Sequence, residues 1–172
     1  MSEEICLSGY VAIGVLNPKT PENMGAVLRA AGCYGADAIF YTGVRYERAK
    51  KFYTDTKNIS RRIPVTGVED LPGSVPEGVQ LVAVELVEGA TPLMDFQHPQ
   101  SAFYLFGPED GSLTQEILNR CDAVVYIPTF GCMNLAATVN VVLYDRLAKN
   151  SADHISMRTI SANRDTNNKT KI

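Results

Sequence analysis

The chain has 172 residues, of which 45% are hydrophobic, and this length and composition predict one domain with a well-buried core. Its formal net charge is −3 at pH 7, which argues against a uniformly basic nucleic-acid-binding protein. No apolar run reaches the roughly 18 residues of a membrane-spanning helix, and the first ten residues contain two acids and no base, unlike an export signal. We therefore expect a cytoplasmic protein without a membrane span.

The first half of the chain predicts two strands with a helix between them. The β-branched run YVAIGVL (residues 10–16) ends at Asn-Pro and is typical of a buried strand followed by a loop. Asn23 then precedes apolar residues at i, i+3, i+4 and i+7 spacing, which predicts a helix capped near Asn23 and closed near Gly32 or Gly35. The run AIFYTG (residues 38–43) is the next predicted strand.

The second half predicts three more strands and two helices. VQLVAVEL (79–86) and AFYLFG (102–107) show little alternation, as in strands covered on both faces, and AVVYIP (123–128) is a further strand. Ser112 and Gln115 have the spacing of a capping box, which predicts a helix from about Leu113. Apolar spacing from Leu135 to Leu147 predicts the last long helix.

This alternation of strands and helices predicts the α/β class, with a mostly parallel sheet and helices on both faces. Residues 1–150 are expected to form the domain. From about residue 151 the chain is rich in Ser, Asn, Asp, Lys and Thr, so residues 151–172 are predicted to be a polar, mobile tail.

The cysteines and histidines do not form a metal-binding pattern. Four cysteines lie at wide spacings without a C-x-x-C pair, and the chain has two histidines, which indicates reduced thiols and no structural metal. Cys132 as a nucleophile would need a neighbouring base, and no histidine lies near it in the sequence.

Basic residues are concentrated in two segments. Residues 45–62 contain seven bases and two acids, and residues 146–172 contain six bases and two acids. Aromatic residues among the first set favour an RNA-binding surface, with an amphipathic helix that packs Tyr46 and Phe52 inward as the alternative. The candidate RNA-binding residues are Arg45, Arg48, Lys50, Lys51, Arg61 and Arg62.

Polar residues are also concentrated in three segments that follow strands, at residues 23–29, 107–111 and 129–134. Ligands of parallel α/β domains bind beyond the carboxyl ends of strands. Neither a G-x-G-x-x-G nor a G-x-x-x-x-G-K-[ST] motif is present, so the usual nucleotide-binding signatures are missing.

Three motifs in order carry a family resemblance. They are NMGAVLRAA (23–31), LFGPEDG (105–111), and IP (127–128) followed by MNL (133–135). This series resembles the SpoU/TrmH-type RNA ribose methyltransferases of the SPOUT superfamily over about residues 10–149. The chain is similar to the minimal, single-domain members.

The resemblance implies a deep trefoil knot near the C-terminal end of the fold, a homodimer with sites near the subunit interface, and S-adenosylmethionine bound in the knot without a metal. Cys132-Met133-Asn134 departs from the family's common Ser-x-Asn, and a thiol is a weaker hydrogen-bond donor than a hydroxyl. By motif position, the resemblance assigns cofactor binding, largely through backbone groups, to Val84, Gly107, Ile127, Cys132 and Met133.

The implied reaction is methyl transfer to a ribose 2′-oxygen, expected on tRNA, with ribosomal RNA or a non-catalytic RNA-binding role as alternatives. Arg29 matches the family's central arginine. Because a guanidinium stays protonated, we expect Arg29 to bind a phosphate and stabilise the developing alkoxide rather than act as a base.

The resemblance gives Asn23, Glu109 and Asn134 orienting roles, with Glu109 holding Arg29 or an RNA hydroxyl. Two helix caps and a solvated loop acid are the simpler alternatives for these residues. We expect Asn134 to be both a cap and part of the catalytic pocket.

Overall fold

The computed structural model describes residues 9–49, 63–150, 167 and 170. Its described part contains seven strands in one parallel sheet of order β3-β2-β1-β6-β4-β7-β5. The predicted parallel α/β sheet is therefore confirmed. The strands are β1 (Val11–Val15), β2 (Ala38–Tyr41), β3 (Val65–Gly67), β4 (Gln80–Val84), β5 (Thr91–Pro92), β6 (Ala102–Phe106) and β7 (Ala123–Tyr126).

The sheet is covered on both faces. On β1, Ile13 and Val15 belong to one buried cluster and Ala12 to another, as the alternation of a strand requires. The helices are α1 (Pro21–Tyr34), α2 (Val44–Ala49), α3 (Gln115–Leu118) and α4 (Leu135–Asn150). Helices α1 and α4 pack against each other in the first cluster, whereas the single turn of α3 contributes to the second. No helix in the described ranges is both long and apolar enough to cross a bilayer.

Two helices, α1 and α3, begin at other residues than predicted. The cap of α1 is Thr20, whose hydroxyl accepts from the Asn23 amide, and Pro21 occupies the first turn, where its missing N–H costs nothing. Gly35, at φ 69°, closes this helix as predicted.

The predicted capping box of Ser112 and Gln115 is wrong. Thr114 caps α3, its hydroxyl accepting from the Ile117 amide, while the Gln115 side chain donates to Asn119. The amide of Leu113, where the helix was expected to begin, donates instead to the Glu85 carboxylate of a neighbouring loop. The helix therefore begins at Gln115, two residues later than predicted, with Thr114 as its local cap.

Buried polar contacts hold the C-terminal half of α4 against the segment before β6. Arg146, only 6% exposed, donates to the carbonyl oxygens of Pro99 and Gln100. His98 lies between the Tyr104 hydroxyl, 2.6 Å from Nδ1, and the Asp145 carboxylate, 2.8 Å from Nε2. These contacts fix the direction of α4 and hence the position of its opposite end. The predicted tail, residues 151–172, lies outside the described residues except for 167 and 170.

Candidate functional site

A cavity of about 500 Å³ opens beyond the carboxyl ends of β4, β6 and β7. The loops that follow these three strands line it, which is where a parallel sheet places its ligands. All five predicted cofactor-binding residues lie on its wall: Val84, Gly107, Ile127, Cys132 and Met133.

The wall between β4 and β6 is closely packed around Gly107. A Cβ at this position would lie 3.3 Å from Glu85 Oε2 and 3.5 Å from the Leu113 nitrogen. Glu85 Oε2 accepts from the Leu113 amide at 2.8 Å, and Oε1 accepts from the Leu86 amide at 3.1 Å. Glycine therefore allows the two loops to meet at the cavity.

Asn134 uses both ends of its side-chain amide. Its Oδ1 accepts from the backbone amides of Ala136 at 2.9 Å and Ala137 at 3.3 Å, so the predicted cap of α4 is confirmed. Its Nδ2 donates to Asn23 Oδ1 at 2.8 Å, and Asn134 also lines the cavity. One residue thus joins the helix start, the cavity and α1.

Glu109 continues this chain of contacts on the other side of Asn23. Its Oε1 accepts from Asn23 Nδ2 at 3.1 Å, and its two oxygens accept from the backbone amides of Lys19 and Thr20. Burial opposes the charge, but the hydrogen bonds from Asn23 and the backbone outweigh it and hold the pKa of Glu109 below its ordinary value. An ionised carboxylate therefore orients Asn23, which in turn orients Asn134.

Arg29 lies apart from this chain. It is exposed on α1 and does not line the cavity, and within the described ranges no hydrogen bond or ion pair engages its guanidinium. Arg29 is six positions after Asn23, which places it almost two turns farther along α1. The expected contact between Glu109 and Arg29 is not formed, because the carboxylate is occupied at the start of α1. Residues 23–29, the first of the three polar segments, therefore do not line the cavity. They are connected to its wall by the hydrogen bond between Asn23 and Asn134.

The predicted RNA-binding residues are described only in part. Lys50, Lys51, Arg61 and Arg62 lie outside the described residues, and Arg48 is exposed on α2. Tyr46 packs edge-on against Tyr41 with ring centroids 4.9 Å apart, as the alternative of an inward-packed helix predicts for that residue.

Arg45 connects α2 to the loop that follows β6. Its guanidinium donates to both oxygens of Asp110, at 2.8 and 3.1 Å, and to the Asn17 carbonyl. The hydrogen bonds from Arg45 hold the pKa of Asp110 below its ordinary value. The positive charge of Arg45 is therefore shared with a carboxylate next to Glu109.

Glu85 and Asp110 are site residues that were not predicted from the sequence. Glu85 directly follows Val84 at the end of a buried strand, so its position at a strand end could have indicated it. Asp110 stands inside a recognised motif, but no local pattern indicates its partner 65 residues away. Cys33, Cys121 and Cys132 are free thiols, and in the described part of the chain no cluster of three or more metal-binding side chains occurs.

Comparisons with known proteins identify a matching family. The model of the SpoU rRNA Methylase family matches residues 10–144. An uncharacterised tRNA/rRNA methyltransferase of Mycobacterium bovis is 25% identical over 135 residues, which cover 74% of this chain and 42% of that protein. The chain therefore spans less than half the length of this curated relative.

Solved structures share the fold. The AdoMet-bound rRNA methyltransferase from Sinorhizobium meliloti superposes with a TM-score of 0.68 at 23% identity, covering 82% of this chain and 57% of that one. A structure concerned with the 2-OH methylation of C/U34 on tRNA gives a TM-score of 0.70 at 21% identity, covering 83% and 97%. At these identities the likeness is one of fold.

Proposed function

Because the chain belongs to the SpoU rRNA Methylase family, we propose that it is an S-adenosylmethionine-dependent RNA methyltransferase that modifies a ribose 2′-oxygen. One observation carries the proposal. The loops after β4, β6 and β7 enclose a cavity whose wall includes Asn134, and Asn134 is held through Asn23 by the ionised Glu109.

The cavity fits the proposed cofactor in size. Sites for ligands of this size have volumes of about 300–1,000 Å³ and combine apolar side chains with placed polar groups. Here the cavity has a volume of about 500 Å³, and its wall combines apolar residues such as Ile127 with polar ones such as Asn134. Val84, Gly107, Ile127, Cys132 and Met133 would hold the cofactor, which when bound supplies an activated methyl group.

The chain's own contribution is placement. Methyl transfer from sulfur to oxygen is an in-line displacement, so catalysis can come from aligning the reacting atoms and excluding water. Asn134, held by Asn23, is available to orient the ribose, and Arg29, which is exposed outside the cavity, is available for a neighbouring phosphate of the RNA. Since a guanidinium stays protonated, the 2′-hydroxyl proton leaves to solvent or to the substrate phosphate.

We propose tRNA as the substrate and the cytoplasm as the place of the reaction. The solved structure concerned with tRNA methylation supports tRNA, because 97% of that chain is matched by this one. Ribosomal RNA is the second candidate, supported by the description of the matching family.

We further propose that the protein is a homodimer. Helix α4 exposes Ala137, Val141, Tyr144 and Ala148 at i, i+4, i+7 and i+11 spacing, so they lie on one face. Val141 is 36% and Tyr144 61% exposed. A continuous apolar face of this kind is typical of a surface that another subunit covers.

A methyl-transfer assay tests the proposal. Purified protein, labelled S-adenosylmethionine and RNA from cells that lack the protein should give labelled tRNA. Alkaline hydrolysis should then leave an alkali-resistant dinucleotide, because a methylated 2′-oxygen cannot attack the neighbouring phosphate. Label confined to ribosomal RNA would replace tRNA by the second candidate. RNA binding without label on any RNA would favour a non-catalytic RNA-binding protein with this fold.

A further inference from the structure

The charged side chains on the cavity wall are all of one sign. Among the described residues, Glu85 and Glu109 are the charged residues that line it, and no lysine, arginine or histidine does. The nearby cations Lys19 and Arg45 are directed to Asp110, at 3.9 and 2.8 Å. The cavity therefore presents negative charge to its ligand.

Glu85 is held in a fixed position on this wall. Its two oxygens each accept one backbone amide, from Leu86 and from Leu113, and its Oε2 lies against Gly107. A carboxylate has about four acceptor positions, so lone pairs remain beside these two hydrogen bonds. Since the residue is only partly exposed, its field is less screened by water than that of a surface acid.

We propose that Glu85 makes this cavity selective for a cationic ligand, so that it binds the sulfonium of S-adenosylmethionine in preference to the neutral thioether left after methyl transfer. The inference rests on the function proposed above and assigns Glu85 as a residue that sets cofactor specificity. Donor and product carry the same ammonium and carboxylate groups, so the sulfonium is the charge that distinguishes them.

The electrostatic argument gives a direction and a scale. A carboxylate attracts the sulfonium and has no net charge interaction with the thioether, so its removal weakens donor binding more than product binding. Partial exposure reduces the effect, and we expect a change of about three- to tenfold in the ratio of the two dissociation constants. The preference would also help the spent cofactor to leave.

Calorimetry with three ligands tests the assignment: S-adenosylmethionine, S-adenosylhomocysteine, and sinefungin, which carries an amine in place of the methylated sulfur. In Glu85→Gln, the dissociation constants for both cationic ligands should rise relative to that for S-adenosylhomocysteine. Glu85→Asp should retain the preference. Glu88→Gln is the matched control, because Glu88 is exposed on the same loop and does not line the cavity.

The outcomes separate this inference from the proposed function. Equal weakening of all three ligands would place Glu85 at the shared ammonium and overturn the sulfonium assignment, as would no change at all. If the unmodified protein binds none of the three ligands, both the proposed cofactor and the inference are rejected. If Glu85→Gln does not unfold cooperatively, the test is made with the unmodified protein instead. The inference is overturned if the unmodified protein binds S-adenosylhomocysteine more tightly than it binds either cationic ligand.

Discussion

The side-chain amide of Asn134 combines a structural and a positional task. Its oxygen caps α4 and its nitrogen reaches Asn23, which Glu109 holds from the other side. A cap needs only a short side chain with an acceptor, so the cap by itself would allow Ser, Thr or Asp. The contact to Asn23 requires a donor that reaches across to α1, and this requirement favours asparagine.

Two substitutions of Asn134 should separate these tasks. Asn134→Ala removes the cap and should lower the free energy of unfolding by about 1 kcal/mol, together with activity. Asn134→Ser keeps an acceptor and should stay within about 0.5 kcal/mol, yet still lose methyl transfer because the donor to Asn23 is gone. Urea unfolding and the labelled-methyl assay measure the two effects. Full activity in Asn134→Ser would leave Asn134 with the cap alone.

Arg29 should be required for methyl transfer and not for stability. Arg29→Ala should lower the rate of methyl transfer by about 10²-fold, because a substrate that is no longer held at its phosphate is misplaced relative to the methyl donor. Because Arg29 is exposed and forms no hydrogen bond or ion pair with another described residue, the free energy of unfolding should change by less than about 0.5 kcal/mol. S-adenosylmethionine binding, measured by calorimetry, should persist.

A remote arginine provides the control for Arg29. Arg120 pairs with Asp70 and does not line the cavity, so Arg120→Ala should leave methyl transfer unchanged. If Arg29→Ala transfers methyl groups as fast as the unmodified protein, Arg29 has no role in the mechanism.

Helix α4 is fixed at both ends by polar contacts. Asn134 caps its start at the cavity, and the buried His98 and Arg146 contacts hold its last turns against the segment before β6. The apolar face between these ends packs against α1 and the sheet. The position of the cavity wall therefore depends on contacts at the far end of the same helix.

The His98 contact should make stability depend on pH. Burial lowers the pKa of His98 below its ordinary value of 6.5, although the hydrogen bond to Asp145 opposes this, and Arg146 and Lys149 add a further lowering. The unfolded chain therefore binds more protons than the folded one as the pH falls below about 6.5, so stability decreases from there downward.

Replacing the imidazole tests this dependence. In His98→Gln, the decrease in the free energy of unfolding between about pH 7.5 and pH 5 should be smaller than in the unmodified protein, because the titrating group is gone. Chemical denaturation across this range measures it. Equal decreases in both proteins would show that His98 does not contribute to the pH dependence.

At the scale of the whole molecule, the exposed face of α4 and the cavity lie on the same helix. The cavity is lined at Asn134, Leu135 and Thr138, and the exposed apolar face begins at Ala137 and continues through Tyr144. A second subunit on this face would stand beside the cavity. We therefore expect assembly and activity to be linked.

Charge placed on this face should separate the subunits. The double substitution Val141→Glu and Tyr144→Glu should shift the protein in light scattering from a dimer to the 18.8 kDa monomer and lower methyl transfer. Met94→Glu is a suitable control, since Met94 is an exposed apolar residue, 66% accessible, outside α4. A protein that is monomeric before substitution would contradict the proposed homodimer.

The amino-acid sequence by itself determined the five longer strands, the buried faces of α1 and α4 and the cap at Asn134, because apolar periodicity and helix caps are local properties. The loops of the cavity wall were indicated by their position after strands and by the family resemblance of their motifs. It did not indicate β3 and β5, which have three and two residues and lack an apolar run. The cap of α1 by Thr20 is also a local contact, between residues three apart beside Pro21, although the sequence was interpreted as placing the cap near Asn23. The tertiary structure alone decided that Leu113 donates to Glu85 and that Glu109 holds Asn23 instead of Arg29. Glu85 and Glu109 find these partners across 28 and 86 residues of chain, and a hydrogen bond over such a separation depends on the order of strands in the sheet, which no local pattern encodes.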